Sequence, residues 1–243
     1  MQGKGTQASP YKISPSMLSK FLDCSSCFIA KHVGGINQPS GPMAMIASGL
    51  DRSLRRMMIA HHDAGVMPTE FAAIPELTGF ELASRTFVKG SVSVDPSDYI
   101  DINGTIFKLN GELDELFART TDDGSLEFLV ADYKSKYGYD AAQKDPHPAY
   151  VRQLRLYAYI LRSNGHQVNN NALLLNYYPT ETEVIDEVHP VLQFSPYVVD
   201  VSPSTVTPLL ADIQTMVSTF EAQKASGALL PKNANCKWCT YRA

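Results

Sequence analysis

Several absences narrow what this chain can be. No stretch approaches the roughly 20 consecutive apolar residues that a membrane-spanning helix needs. There is no excess of basic charge either. Lys and Arg total 21 against 25 Asp and Glu, a formal net charge of -4. A global positive field advertising nucleic-acid binding is thereby excluded, and any such binding must use a local basic cleft. Cysteine is scarce, at four residues in 243. Internal repeats and low-complexity segments are absent. The opening "MQGKGTQASP" is polar and has no signal-peptide apolar core, so a cytoplasmic, reducing location is expected. There the cysteines serve as thiols or metal ligands rather than disulfides.

What remains is ordinary for a globular protein, 44% hydrophobic and 19% charged. The length suits one large domain, and no composition shift marks a boundary within 1–243. "SPSMLSKFLDC" predicts a short helix with Ser14 as N-cap, Pro15 in the first helical position, and Leu18, Phe21 and Leu22 on its apolar face. Gly34 to Pro42 reads as loop. Ser48 to Ala64 has Leu50, Leu54, Met57, Met58 and His61 at a helical period. A Pro-rich stretch with a short helix before Gly79 follows. From Val92 the pattern turns to strands, and "TDDGS" joins the last two as a turn. Pro148 to Asn164 predicts a helix stopped by Gly165, "ALLLNYY" and "VLQFSPYVVDV" predict strands, and Ser204 to Ser226 a long helix. This order predicts an α/β fold with a mixed sheet.

The segment "VADYKSK", Val130 to Lys136, raises the chemical question. Side chains alternate along a strand, so Asp132 and Lys134 share one face. A hairpin centred near Asp123 sets Asp114 opposite Asp132, and Glu112 opposite Lys134. Like charges so placed repel. A divalent cation such as Mg²⁺ resolves that repulsion, and a neighbouring lysine can position water or stabilise charge on a phosphate. An acid and a lysine on a strand are otherwise a solvated ion pair, and these two readings weigh about equally.

"GELDEL" (Gly111–Leu116), "ADYKSK" (Ala131–Lys136) and "QLRLY" (Gln153–Tyr157) together resemble three successive motifs of the RecB-type branch of the PD-(D/E)XK nuclease superfamily: G-x-x-D, D-Y-K and Q-x-x-x-Y. The resemblance extends to CRISPR-associated and AddB-like exonucleases that carry a cysteine-bound cluster. It implies a restriction-endonuclease-like core with a mixed central sheet flanked by helices. It implies Asp114 and Asp132 as ligands of Mg²⁺ or Mn²⁺, the Tyr133 carbonyl as a further ligand, Lys134 as the catalytic lysine, and Gln153 and Tyr157 on an active-site helix. Many members also have a histidine ligand four residues after a glycine upstream. Here Gly49 is followed by Asp51, and Ser53 holds the histidine's place. Asp51 is a substitute ligand or, preferred on sequence, the end of an S-x-x-D capping box begun by Ser48.

The four cysteines fall in two C-x-x-C pairs, Cys24 with Cys27 and Cys236 with Cys239. Four thiolates suit Zn²⁺ or a [4Fe-4S] cluster. Spacing alone favours zinc; the resemblance favours the cluster, so [4Fe-4S] is the expected cofactor and Zn²⁺ the alternative. Either would join the termini, with 14–40 and 227–243 as a clasp on a single nuclease domain. The expected activity is DNA hydrolysis, as an exonuclease on single strands or duplex ends in repair, recombination or CRISPR-related processing. The alternatives are a nucleic-acid-binding module with a degenerate centre and an RNA- or nucleotide-directed phosphodiesterase. Arg52, Arg55, Arg56, Lys134, Lys136, Lys144, Arg152 and Arg155 are candidates for phosphate contacts, and Tyr137 and Tyr139 for base stacking.

Overall fold

The middle of the strand "LEFLVADYKS" opens with the apolar run Phe128–Ala131 and is buried without a break through Tyr133, as in a strand covered on both faces. The computed structural model describes residues 1–38, 45–84, 92–93, 100–102, 104–135, 145–179 and 192–241. In it this strand occupies the centre of the main sheet.

The chain opens with β1 (Tyr11–Ile13), α1 (Pro15–Asp23), α2 (Ser25–His32), α3 (Met45–Ala64) and a short α4 (Thr69–Ala72). Strands β2 (Glu81–Leu82), β3 (Val92–Ser93), β4 (Ile100–Ile102), β5 (Thr105–Leu109), β6 (Glu112–Leu113), β7 (Glu115–Thr120) and β8 (Leu126–Ser135) follow. Then come α5 (Pro148–Ser163), β9 (Gln167–Val168), β10 (Asn171–Pro179), β11 (Leu192–Asp200) and α6 (Pro203–Ser226). The main sheet has the order β11-β10-β8-β7-β2, with β9 also on β8. β7 is antiparallel to β8 and β10 is parallel to it, so the sheet is mixed as expected. Pro196 lies in β11, at the sheet edge where its missing N–H costs no ladder bond. A smaller sheet, β1-β5-β4, starts with β1 parallel to β5.

Two cores follow from the strand alternation. Phe128, Val130 and Leu174 join Leu18, Leu154, Ala158, Ile213 and Val217 on the face covered by α1, α5 and α6. Leu129, Ala131, Tyr133, Leu173 and Leu175 join Leu54, Met58 and Phe71 on the face covered by α3 and α4. Burial of this kind stabilises each large side chain by about 1.5–3 kcal/mol.

The β7–β8 hairpin has the expected register, Glu115 opposite Ala131 through Thr120 opposite Leu126. Gly124 supplies the left-handed residue of the turn, at φ 81°. The ladder ends at Glu115, however. The chain bends at Asp114, and β6 pairs with β3 instead, placing Glu112 opposite Ser93 rather than Lys134.

Three smaller expectations are corrected. Leu22 is exposed at 39%, because the face that α1 turns inward carries Pro15, Leu18, Ser19 and Phe21. The helix after the first loop begins at Met45, so Ser48 and Asp51 lie inside it rather than at its start. Its inward stripe runs Leu54, Met58, His62 rather than through His61, whose Nδ1 lies 2.9 Å from the Val66 carbonyl at the helix end. The side chains of Ser48 and Leu50 lie outside the described set, as do Lys136, Tyr137, Tyr139, Lys144 and the loop residues 39–42.

Candidate active site

Asp132 points from the centre of the sheet toward α5 and is 1% exposed. Its Oδ1 accepts a hydrogen bond from Gln153 Nε2 at 3.1 Å. Its Oδ2 is buried and takes the Lys134 ammonium as its ion-pair partner. Lys134 Nζ also lies 4.9 Å from the centre of the Tyr150 ring, a cation–π contact from the start of α5. Burial pushes the Asp132 carboxyl up to about 7; Lys134 opposes that shift and the Asp114 charge adds to it.

Asp114 occupies the bend between β6 and β7. Its Oδ2 accepts the Tyr133 N–H at 3.2 Å, which holds it beside the Asp132–Tyr133 backbone. Its Oδ1 accepts from Arg55 Nη2 at 3.1 Å. Arg55 Nε in turn pairs with Asp51 at 3.2 Å, one turn back on α3. Arg55 thus bridges Asp51 and Asp114, and the Asp51 side chain is 47% exposed.

Gln153 and Tyr157 share one face of α5. Gln153 Nε2 donates to Tyr157 Oη at 2.8 Å as well as to Asp132. Two acceptors on one amide nitrogen fix the orientation of the Gln153 side chain. Burial raises the Tyr157 phenol above its ordinary range, so it stays protonated. Beside these two residues opens a cavity of about 570 Å³, walled by Ser16, Ser19 and Lys20 of α1, by Gly111 and by Tyr150.

On the opposite face lies a cluster that the sequence reading missed. Glu115 is fully buried. Its carboxylate accepts the Leu116 N–H at 2.9 Å and the Tyr133 hydroxyl at 3.1 Å, and His62 Nε2 lies 3.0 Å away. The available signal was the spacing of His62 four residues after Met58 on the inward stripe of α3.

The basic residues divide. Arg55 reaches Asp114, and Arg152 Nε donates to Ser19 Oγ across the α1–α5 wall. Arg155 is held elsewhere, donating to the Asp200 carbonyl at the end of β11, because it lies on a different face of α5 from Gln153. Arg52 and Arg56 are exposed on α3.

At the other end of α1, the four cysteine sulfurs converge within 4.8 Å of one another. Cys24 ends α1 and caps α2, its Sγ accepting the Cys27 N–H at 3.5 Å. Four cysteines so arranged can bind a metal.

A model of the PD-(D/E)XK nuclease superfamily matches residues 42–243. The chain belongs to that superfamily. The match includes Asp114, Asp132, Lys134 and the second cysteine pair, while Cys24 and Cys27 precede it. No curated protein matches the sequence. Among solved structures, the chain is similar to the crystal structure of an alkaline exonuclease from Laribacter hongkongensis, with 12% identity, a TM-score of 0.48, and coverage of 88% of this chain and 90% of that one. Superfamily members typically use divalent metals. The residues here fit one: the carboxylate of Asp114 is held against the backbone next to the buried Asp132, and its charge raises the proton affinity of Asp132. Among the described residues, no helix is long and apolar enough to cross a membrane.

Proposed function

We propose that this superfamily member is a Mg²⁺- or Mn²⁺-dependent deoxyribonuclease of the RecB-type branch, acting as an exonuclease on single strands or duplex ends within one domain spanning 1–243. The observation that carries this reading is the linked set Asp114, Asp132, Lys134 and Gln153 at one end of β8 and α5.

Asp114 and Asp132 hold the cation, with the Tyr133 carbonyl as a further ligand. Bound there, the cation supplies positive charge to the phosphodiester and acidifies water. Lys134 orients the attacking water and stabilises negative charge as it grows on the phosphate oxygens. Its ammonium is directed by Asp132 on one side and the Tyr150 ring on the other. Gln153 fixes Asp132 Oδ1, and Tyr157 fixes Gln153. Arg55 Nη2 donates to Asp114 Oδ1 and fixes the orientation of that carboxylate. Asp51 acts as a cation ligand or through Arg55.

The cavity beside Gln153 receives the strand, with Lys20 near its phosphates. End trimming of this kind serves DNA repair, recombination and CRISPR-related processing.

The test uses labelled linear and circular DNA, single- and double-stranded, alongside RNA of the same sequence. Mg²⁺ or Mn²⁺ should release nucleotides from linear DNA ends and leave circles intact. Binding without cleavage in any metal would favour the degenerate module, and cleavage of RNA alone the RNA-directed enzyme.

A further inference from the structure

The family resemblance implies a [4Fe-4S] cluster on the four cysteines, and their geometry does not fit one. In a cubane each thiolate binds a different iron, so the cysteine sulfurs are pushed outward to separations of roughly 6 Å. On a single tetrahedral ion with bonds of about 2.3 Å, every pair of sulfurs sits about 3.8 Å apart. Here Cys24 and Cys239 sulfurs are 3.7 Å apart, Cys27 and Cys236 3.8 Å, and Cys27 and Cys239 3.4 Å. All four lie within 4.8 Å of one another. The tetrahedron is one ion wide, and the eight atoms of a cubane have no room inside it.

From this spacing we infer that the clasp is a mononuclear tetrathiolate site for a thiophilic divalent ion, Zn²⁺ by preference. Weak S–H hydrogen bonds do not by themselves gather four thiols from positions as much as 215 residues apart. A shared ion does. Two C-x-x-C pairs present the ligand set that zinc takes in closed structural sites. With four protein ligands the ion has no open position, so its role is to hold chain segments together.

Those segments are specific. Cys24 joins α1 to α2, and Cys236 and Cys239 anchor the C-terminal tail. Ser26 Oγ donates to the Pro231 carbonyl at 2.6 Å, a second tie between the same two regions. Because α1 walls the cavity beside Gln153, the ion braces that wall from its far end. The inference rests on sulfur positions alone and stands apart from the nuclease reading.

The full-length chain, expressed and purified anaerobically with iron and sulfide in excess, tests it by metal analysis and absorption. The expected result is one zinc per chain, no band near 400 nm, and a tetrahedral cobalt–thiolate spectrum after exchange with Co²⁺. Cys236→Ser, at the most accessible of the four, should lower zinc content while circular dichroism stays native. Four irons with labile sulfide, absence of stoichiometric metal, or undiminished zinc in Cys236→Ser would each overturn the inference.

Discussion

The Tyr157 ring lies so close to Gly111 that a Cβ there would sit 2.3 Å from Cε1. The motif glycine ahead of Asp114 is thus spatially tied to the motif tyrosine of α5. Its φ is not in the left-handed region, so the requirement is for space and not for conformation. A methyl group at this position must displace the ring, and with it Gln153 and its bond to Asp132.

Gly111→Ala should therefore lower stability by about 1–3 kcal/mol, as overpacking does, and should also cut kcat. Tyr157→Leu in the same background should recover stability but not activity. Thermal melts and single-turnover cleavage separate the two effects.

Asp132 sets a pH dependence. Its carboxyl is raised from 3.8 to about 7, so the native state retains a proton that the unfolded chain has released. Metal-free protein should accordingly lose stability as pH climbs from about 4 to about 7. Cation binding competes with that proton and should tighten over the same interval. Asp132→Asn should flatten the metal-free stability profile and abolish the metal response, as read by melts at pH 5 and pH 8 with and without Mn²⁺.

Arg55 stands between Asp51 and Asp114. If Asp51 works by orienting Arg55, Asp51→Ala and Arg55→Ala should cost similar activity, and the double variant little more. If Asp51 is a ligand, Asp51→Ala should weaken Mn²⁺ binding even with Arg55 intact. Titration of Mn²⁺ into the three variants distinguishes these roles.

The clasp predicts a split in kinetic effects. Stripping its ion should loosen α1, which lines the cavity, while the acids on β7–β8 stay in place. DNA affinity should then fall several-fold and single-turnover kcat at saturating DNA much less. An equal loss in both would place the ion's influence at the catalytic strands.

The hairpin was legible because "TDDGS" is a turn with a mechanism and the flanking strands have opposable apolar residues. From that register the neighbourhood of Asp114 and Asp132 followed by counting, although the ladder itself stops one residue short, at Glu115. The bend at Asp114 was not legible, since nothing in "GELDEL" announces that β6 leaves β8 for β3. The Glu115 cluster was hidden for another reason. A buried carboxylate is recognisable only with its partners, and His62 and Tyr133 come from a helix and a strand far off in sequence. Asp51 fitted a local capping pattern, but helix bounds depend on tertiary packing, and α3 begins upstream of it.

Cleavage of an end-labelled DNA strand by the wild-type chain, Asp132→Ala and Lys134→Ala, each with Mg²⁺, Mn²⁺ or EDTA, tests the central claim most directly. Metal-dependent loss of label in the wild type, abolished by EDTA and reduced at least 100-fold in both variants, is the predicted result, on the scale of losing a principal electrostatic group. Cleavage that persists in Asp132→Ala, or that proceeds unchanged in EDTA, would contradict the assignment of this site.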